Sequence, residues 1–263
     1  GQDDAATVVA GALRRSRAGL NDADRPVGAF LFAGPPGVGK TKLATALSEA
    51  LLDGALVHFD MSEFSDRGSA AQLVGARSMQ EAGELTEAVL RTPNSVVLLN
   101  DVDKAHPEGA KVVLRIIIDG GVVDGLGRAV DFTHSVVICT TGLGDGTDVG
   151  KTAAALRRYF KPEFLSALDE VVIFRALGED DLGRIVDIEL VSLGDRLAGR
   201  GLAIALTPPA RAYLARAGAD PAMGAHALKQ LIRREVADRV ALGLLQDEFV
   251  AGDTIEVDGS ATG

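Results

Sequence analysis

GPPGVGKT, residues 34–41, lies between an apolar run at residues 29–33 and an alanine- and leucine-rich segment at residues 43–52. It fits the pattern G-x-x-x-x-G-K-[ST] at every position, with a predicted strand before it and a predicted helix after it, as a phosphate-binding loop requires. Its three glycines allow a tight turn that brings backbone N–H groups close to an anion. A chance turn before a lysine would not fill all these positions. We therefore predict a site for a nucleoside triphosphate.

Each polar side chain of this loop has a predicted role. Lys40 would reach the β- and γ-phosphates, and Thr41 would offer its hydroxyl to Mg²⁺. The N-terminus of the following helix would add the positive end of its dipole. The predicted nucleotide-binding residues of the loop are Gly34, Pro35, Pro36, Gly37, Val38, Gly39, Lys40, Thr41 and Lys42. We expect the ligand to be ATP or ADP, accompanied by Mg²⁺.

Composition narrows the possible classes of protein. The chain has 263 residues, 47% hydrophobic and 24% charged, as in ordinary globular proteins. A net charge of -10 at pH 7 argues against a nucleic-acid partner, because such a surface repels phosphate backbones. No apolar run is long enough to span a bilayer, so we expect a cytoplasmic protein with no membrane partner. Cys139 is the single cysteine, so the chain cannot form an internal disulfide. The chain begins at Gly1 and not at a methionine, so we expect it to be a piece of a longer protein.

Apolar runs alternate with helical patterns through the first two thirds of the chain. The predicted strands are residues 29–33, 55–59, 95–99, 135–140 and 171–174, with helices notably at 84–91 and 108–118. This alternation is typical of an α/β fold, with a five-stranded parallel sheet covered by helices on both faces.

The pattern becomes mainly helical after residue 178. Helices are predicted at residues 179–197, 208–217 and 225–245, and the short apolar segments 202–206 and 254–257 are predicted to pair as a small sheet. We therefore divide the chain into an α/β nucleotide-binding domain, residues 1–176, and a small, mainly helical domain, residues 177–263.

A phosphate-loop ATPase needs acidic residues at the end of a second buried strand, and residues 98–103, LLNDVD, are the candidate. The longer segment NDVDKAHP, residues 100–107, resembles the Walker B segment of the Clp-type ring unfoldases and disaggregases, a branch of the AAA+ ATPases. Further segments are similar to the second ATPase module of that family and occur in its order: GQDDA (1–5), RAGL (17–20), DMSEF (60–64), LTEAV (85–89), GRAVDF (127–132), PEFL (162–165) and DTIEV (253–257).

This resemblance covers essentially the whole chain and implies both a fold and an activity. The implied fold is the AAA+ one, in which a five-stranded parallel sheet is followed by a small helical lid domain. The implied assembly is a hexameric ring of this chain with itself or with a related AAA+ subunit. Such rings thread polypeptide clients through their pore with the energy of ATP hydrolysis.

The chain departs from the family where hydrolysis should occur. Asn100 and Asp101 stand where the family has Asp and then Glu, and Gly142 stands where an asparagine usually orients the attacking water. By resemblance, the predicted metal site consists of Asn100, Asp101 and Thr41. The predicted catalytic residues are Asp101, Asn100 and Thr141, and we expect Thr141 or Thr140 to take the place of the missing asparagine. A base displaced by about 1 Å loses roughly a hundredfold in rate.

Two expected arginines are also missing. Ala167 lies where the arginine finger should follow PEFL, and such an arginine is worth roughly 10³ to 10⁵ in rate. His226 takes the place of the lid arginine at the γ-phosphate, and a histidine cannot offer the arginine fork. We therefore favour a nucleotide-binding module with slow or absent hydrolysis. A fully active disaggregase and a monomeric adaptor stabilised by nucleotide remain the alternatives.

Two loops of the family are shortened. Residues 77–83, RSMQEAG, lack the aromatic residue that grips a threaded polypeptide, leaving Met79 as a weak substitute, and a plain solvated loop is the simpler interpretation. Residues 143–159 carry no hydrophobic tripeptide of the kind that docks a peptidase, so no peptidase partner is predicted. No His or Cys pair has the spacing of a zinc site.

Overall fold

The computed structural model describes residues 1–19, 22–76, 80–220 and 223–259. Its residues form two compact units. The large unit consists of Gln2–Gly34 and Gly39–Arg175, and the small unit consists of Gly1, Pro35–Val38 and Ala176–Gly263. Among the described residues, no helix is both long enough and apolar enough to cross a membrane.

A parallel sheet forms the centre of the large unit. Its strands are joined in the order β2-β3-β6-β1-β7. The five predicted strands are confirmed, and so is the predicted α/β class with a five-stranded parallel sheet. The described strands of the large unit are β1 (Gly28–Ala33), β2 (Leu56–Asp60), β3 (Val96–Asn100), β4 (Gly121–Val123), β5 (Ala129–Asp131), β6 (Val136–Thr141) and β7 (Glu170–Ile173).

Helices cover the sheet on both faces, which is why the central strands read as continuous apolar runs. Every residue of β1 and β6 is buried. The described helices of the large unit are α1 (Asp3–Arg17), α2 (Lys40–Leu51), α3 (Ser69–Val74), α4 (Glu84–Arg91), α5 (Pro107–Asp119), α6 (Val149–Tyr159) and α7 (Pro162–Ala167). One core cluster joins Leu99 and Cys139 of the sheet to Leu85 of α4 and Ile117 of α5. Cys139 is fully buried, and burial raises the pKa of its thiol to about 12.

The register of the sheet brings polar residues to one edge. Asp60 pairs with Asn100 across β2 and β3, and Ala33 pairs with Thr141 across β1 and β6. The carboxyl ends of these strands therefore lie side by side, where ligands of open parallel sheets bind. The phosphate loop leaves β1 at this edge.

A short hairpin was not predicted from the sequence. Strands β4 and β5 pair antiparallel, and the turn between them is held by Asp124, whose side chain is buried. Asp124 Oδ1 accepts hydrogen bonds from the backbone N–H groups of Leu126, at 3.0 Å, and Arg128, at 2.8 Å. The guanidinium of Arg128 donates to the second oxygen at 2.7 Å and also pairs with Glu87 of α4.

The small unit is mainly helical, as predicted. Its elements are α8 (Glu179–Ala198), β8 (Ala203–Leu206), α9 (Pro208–Ala217), α10 (Ala225–Ile232), α11 (Asp238–Leu245) and β9 (Thr254–Val257). The two strands pair, as predicted, and the structure shows that they run parallel. The single helix predicted at residues 225–245 is instead interrupted by a π-helical turn at Arg233–Ala237. Val186, Leu228, Val236 and Ile255 belong to one buried cluster of this unit.

Candidate functional site

The two ends of the phosphate loop have backbone conformations that require glycine. Gly34 has φ 147° and Gly39 has φ 109°. A Cβ atom at Gly34 would lie 2.6 Å from the carbonyl oxygen of Phe174, closer than real Cβ contacts allow. Lys40 begins α2, and its Nζ donates a hydrogen bond to the Gly34 carbonyl at 2.6 Å. Burial lowers the pKa of Lys40 to about 8, although the carboxylates of Asp101 and Asp103 act in the opposite direction.

The middle of the loop, Pro35–Val38, packs within the small unit. There the N–H of Ala225 donates to the carbonyl of Gly37 at 3.1 Å. His226 is the second residue of α10, and its Cδ2 would lie 3.1 Å from a Cβ atom at Gly37. The predicted γ-phosphate residue of the lid therefore lies beside the glycine at the centre of the loop.

Asn100 ends β3, and both ends of its amide group are engaged. Its Oδ1 accepts a hydrogen bond from Thr140 Oγ1 at 3.2 Å. Its Nδ2 lies 2.8 Å from Nε2 of His58, an exposed residue of β2. An amide nitrogen can only donate, so this contact requires His58 Nε2 to be the unprotonated acceptor. Asn100 therefore brings no charge to the site and has a fixed orientation.

Asp101 adopts a left-handed backbone conformation, with φ 54° and ψ 48°. Its N–H donates to Thr140 Oγ1 at 3.1 Å, and its Oδ2 lies 2.6 Å from Nζ of Lys104, one turn further along. The hydrogen bond and the charge of Asp101 raise the pKa of Lys104. The one carboxylate at the position of the water-polarising residue is thus already paired with a cation.

The structure brings Thr140, rather than Thr141, into contact with Asn100 and Asp101. The side chain of Thr141 is fully buried, and its hydroxyl accepts the N–H of Leu143 at 3.2 Å. The next residue, Gly142, has no heavy atom within 4 Å of a Cβ built on it. A side chain at position 142 would therefore meet open space.

A cation that the sequence analysis missed contacts Ala167. Ala167 is the last residue of α7, and its carbonyl accepts a hydrogen bond from the guanidinium of Arg25. Arg25 also donates to the carbonyl of Ile117 at 3.3 Å and lies 3.8 Å from the carboxylate of Asp169. Arg25 therefore ties the loop before β1 to α5 and α7.

Lys104 and His58 are the other residues that sequence reasoning left without a role at this site. A signal for Lys104 was present, because residues three apart in a helical turn lie on the same side, and Lys104 follows Asp101 by three. His58 could have been found from the pairing of β2 with β3, which brings residues 58–60 alongside residues 98–100.

The predicted metal residues can be compared with what Mg²⁺ requires. This ion takes oxygen ligands in octahedral geometry and is held in proteins by one or two carboxylates with substrate phosphates. Asn100 is neutral and hydrogen-bonded at both ends, and Asp101 is paired with Lys104. Among the described residues, no group of three or more His, Cys, Asp and Glu side chains could hold a metal ion. At the same strand end, however, Asp103 has a buried carboxylate oxygen, Oδ1, without a hydrogen-bond partner in the described part of the chain. The carboxylates that would hold Mg²⁺ together with the phosphates are therefore those of Asp101 and Asp103.

A phosphate loop between β1 and α2, beside the polar ends of β3 and β6, defines a phosphate-loop α/β module, here followed by a helical small unit. The family model "AAA domain (Cdc48 subfamily)" matches residues 25–171, and the model "C-terminal, D2-small domain, of ClpB protein" matches residues 177–257. The chain belongs to the AAA family, as a Clp-type AAA+ second module with its small domain. The resemblance found in the sequence is therefore confirmed.

Similar proteins carry the name "Chaperone protein ClpB". The chain is 45% identical over 266 residues to that of Mycobacterium bovis, 46% over 273 residues to that of Streptomyces albus G, and 44% over 277 residues to that of Rhodopirellula baltica. These alignments cover 98–99% of this chain but only 31–32% of the relatives. The chain thus spans about a third of the length of the relatives it matches.

Proposed function

We propose that this chain is the nucleotide-binding module of a protein-remodelling chaperone, which binds ATP or ADP and hydrolyses ATP slowly or not at all. The observation that carries the proposal is a contrast within one site. The phosphate loop is complete, with Lys40 at the start of α2, whereas the residues around Asp101 are altered.

Binding rests on the loop at residues 34–41 and the helix that follows it. Backbone N–H groups and the N-terminus of α2 favour an anion, and Lys40 supplies a positive charge for the β- and γ-phosphates. Lys42 and the lid residue His226 are proposed to complete the contacts. The AAA family to which the chain belongs supports a nucleotide as the ligand.

The proposal that hydrolysis is slow rests on the residues that would act on the attacking water or stabilise the transition state. Asp101 carries its carboxylate on a stem one methylene shorter than glutamate and pairs with Lys104 at 2.6 Å. A base must lie within hydrogen-bond reach of the water it activates, and a misplacement of about 1 Å costs roughly a hundredfold. Gly142 and Ala167 supply neither a polar side chain nor a guanidinium.

The assembly proposed for this module is a ring, a hexamer by resemblance, formed with itself or with a related AAA+ subunit. The relatives are named chaperones, and we infer that the clients are polypeptides. No peptidase partner is proposed. A fully active disaggregase module and a monomeric adaptor are the outcomes against which this function is tested.

The test is phosphate release from ATP by three forms of the chain: the wild type, Lys40→Ala, and a restored form with Asn100→Asp, Asp101→Glu, Gly142→Asn and Ala167→Arg. We expect wild-type release to stay within about twofold of Lys40→Ala and the restored form to exceed it by about a hundredfold or more. Position 142 accepts a side chain without a clash.

Two results would contradict the proposal in different ways. Wild-type turnover as fast as that of the restored form would identify an active ATPase. The second result concerns the rise in Tm that nucleotide causes. If ATP and ADP raised the Tm of the wild type no more than that of Lys40→Ala, nucleotide binding itself would be wrong, because a ligand of the folded state must stabilise it.

A further inference from the structure

The strand ends beside the phosphate loop carry more carboxylates than lysines. Three carboxylates act on one or both of two lysines at this edge of the sheet; the five residues are Asp60, Asp101, Asp103, Lys40 and Lys104. Their net charge is negative, and the phosphates of a nucleotide add further negative charge. A divalent cation removes this repulsion, and Mg²⁺ is held in proteins by one or two carboxylates together with substrate phosphates. The carboxylates of this edge are therefore the candidates for holding the cation.

The three carboxylates differ in the partners that they already have. Asp60 Oδ1 accepts hydrogen bonds from the N–H and the hydroxyl of Ser62, at 2.9 and 2.6 Å. Asp101 Oδ2 is paired with Nζ of Lys104 at 2.6 Å. Asp103 Oδ1 is buried, and no group in the described part of the chain forms a hydrogen bond with it. Of the three, Asp103 is thus the carboxylate with a buried oxygen that the protein itself does not compensate.

Neighbouring residues fix the position of Asp103. The hydroxyl of Tyr159 donates a hydrogen bond to the backbone carbonyl of Asp103, and the adjacent residue Val102 is buried. Burial and the negative charge of Asp103 raise the pKa of Tyr159, so the carboxylate lies close to the phenol. A buried, charged oxygen without a partner is destabilising, and a bound cation removes that penalty. The orphaned oxygen therefore indicates a cation ligand on a turn that is already ordered.

Asn100 cannot supply the charge that the cation needs. Its amide is neutral, and its two ends are engaged by Thr140 at 3.2 Å and by His58 at 2.8 Å. Asp103 follows Asn100 by three residues and lies close enough to Lys40, the first residue of α2, to oppose the lowering of the pKa of Lys40 by burial. A carboxylate is thus present near the phosphate loop, three residues beyond the position at which it is missing.

We propose that Asp103 is the main carboxylate that holds the divalent cation of the bound nucleotide, in place of the carboxylate that Asn100 does not provide. Asp101, held by Lys104, contributes less. This inference rests on the proposed function, since it concerns the same phosphate loop. It specifies the ligand as the magnesium complex of the nucleotide and assigns its recognition to a residue outside the pair at positions 100 and 101.

The experiment is calorimetric titration of the intact chain with ADP, once with excess Mg²⁺ and once with excess EDTA. ADP removes any interference from hydrolysis. We expect the wild type to bind ADP about tenfold or more tightly in Mg²⁺ than in EDTA. Asp103→Asn should lose most of that difference: its Kd in Mg²⁺ should rise by about tenfold, whereas in EDTA it should bind ADP at least as tightly as the wild type, because one repulsive charge is gone.

Three further variants make the test specific. Asp101→Asn should keep most of the dependence on Mg²⁺. Asn100→Asp combined with Asp103→Asn should regain it, because a carboxylate is returned to the same strand end. Asp119→Asn makes the same change of charge at the exposed end of α5 and should leave both Kd values unchanged. A loss of folding would weaken binding in both conditions alike, and circular dichroism checks for it.

The possible results separate the inference from the function on which it rests. If Asp103→Asn kept the full dependence on Mg²⁺, or if Asp101→Asn lost it instead, the inference would be overturned and the proposed function would stand. The same holds for a wild type whose two Kd values were equal. ADP that bound the wild type in neither condition would overturn both.

Discussion

At the scale of single residues, the hydroxyl of Thr140, which the sequence offered only as an alternative to Thr141, makes the contacts that join this site. Thr140 accepts the N–H of Asp101 and donates to Asn100, so it fixes both residues that follow the core of β3. Thr140 is 2% exposed, and no water can readily replace its hydroxyl there. The chain therefore keeps the ends of β3 and β6 in register with a neutral hydrogen-bond bridge.

Replacement of Thr140 tests that bridge. We expect Thr140→Val to lower the free energy of unfolding by about 1–3 kcal/mol, because it leaves the N–H of Asp101 and the oxygen of Asn100 without a partner while keeping the shape of the side chain. Urea denaturation followed by circular dichroism measures the change. Thr140→Ser keeps the hydroxyl and is the matched control; an equal loss in that variant would assign the effect to packing instead.

At the scale of secondary-structure elements, the sequence predicted the helices and strands whose apolar residues follow a regular period. It missed the elements that a few local contacts determine. The strands of the sheet and α4 and α9 were predicted because their apolar patterns run over whole elements. The hairpin of β4 and β5 has only three residues in each strand, too few for a pattern of alternation. The π-helical turn at Arg233–Ala237 changes the hydrogen-bond spacing without changing which residues are apolar, so residues 225–245 gave the pattern of one helix.

The hairpin turn yields a prediction about pH. Burial by itself would raise the pKa of Asp124, but the hydrogen bonds from Arg128 and Leu126 outweigh it and lower the pKa below its usual value. A carboxylate whose pKa is lower in the folded state stabilises that state at pH values above its unfolded pKa of about 3.9, and this stabilisation is lost as the pH falls through the folded value.

We therefore expect Asp124→Asn to be less stable than the wild type at pH 7, and the difference to shrink as the pH falls below about 4. Urea midpoints of both proteins across this range give the measurement. Asp119→Asn, at an exposed end of α5, controls for the loss of an ordinary surface carboxylate. A difference between Asp124→Asn and wild type that stayed constant with pH would show that the carboxylate acts by shape and not by charge.

At the scale of the whole molecule, the sequence predicted where the site lies better than it predicted which side chains contact one another there. The motif at residues 34–41 and the run that ends at Asn100 predicted which strand ends meet, because parallel strands align their carboxyl ends. The partners of the side chains could not be predicted in this way. Spacing and strand pairing bring Lys104 near Asp101 and His58 near Asn100, but they do not determine which atoms make contact. The contact of Arg25 with Ala167 joins residues 142 positions apart, and no spacing in the sequence predicts it. Residues 77–79 lie outside the described residues, so the role of Met79 in the shortened loop stays a prediction.

Assembly is the property of the whole molecule that the proposed function makes testable. Each chain carries a net charge of -10, so copies repel one another at low ionic strength. Salt screens this repulsion, with a Debye length of about 10 Å at 0.1 M, and a bound nucleotide favours the folded, assembly-competent module. We therefore expect sedimentation velocity to show larger oligomers when ADP and salt are both raised, and Lys40→Ala to lose the response to ADP but keep the response to salt. A wild type that remained monomeric under all these conditions, while still binding ADP, would identify the chain as an adaptor that nucleotide only stabilises.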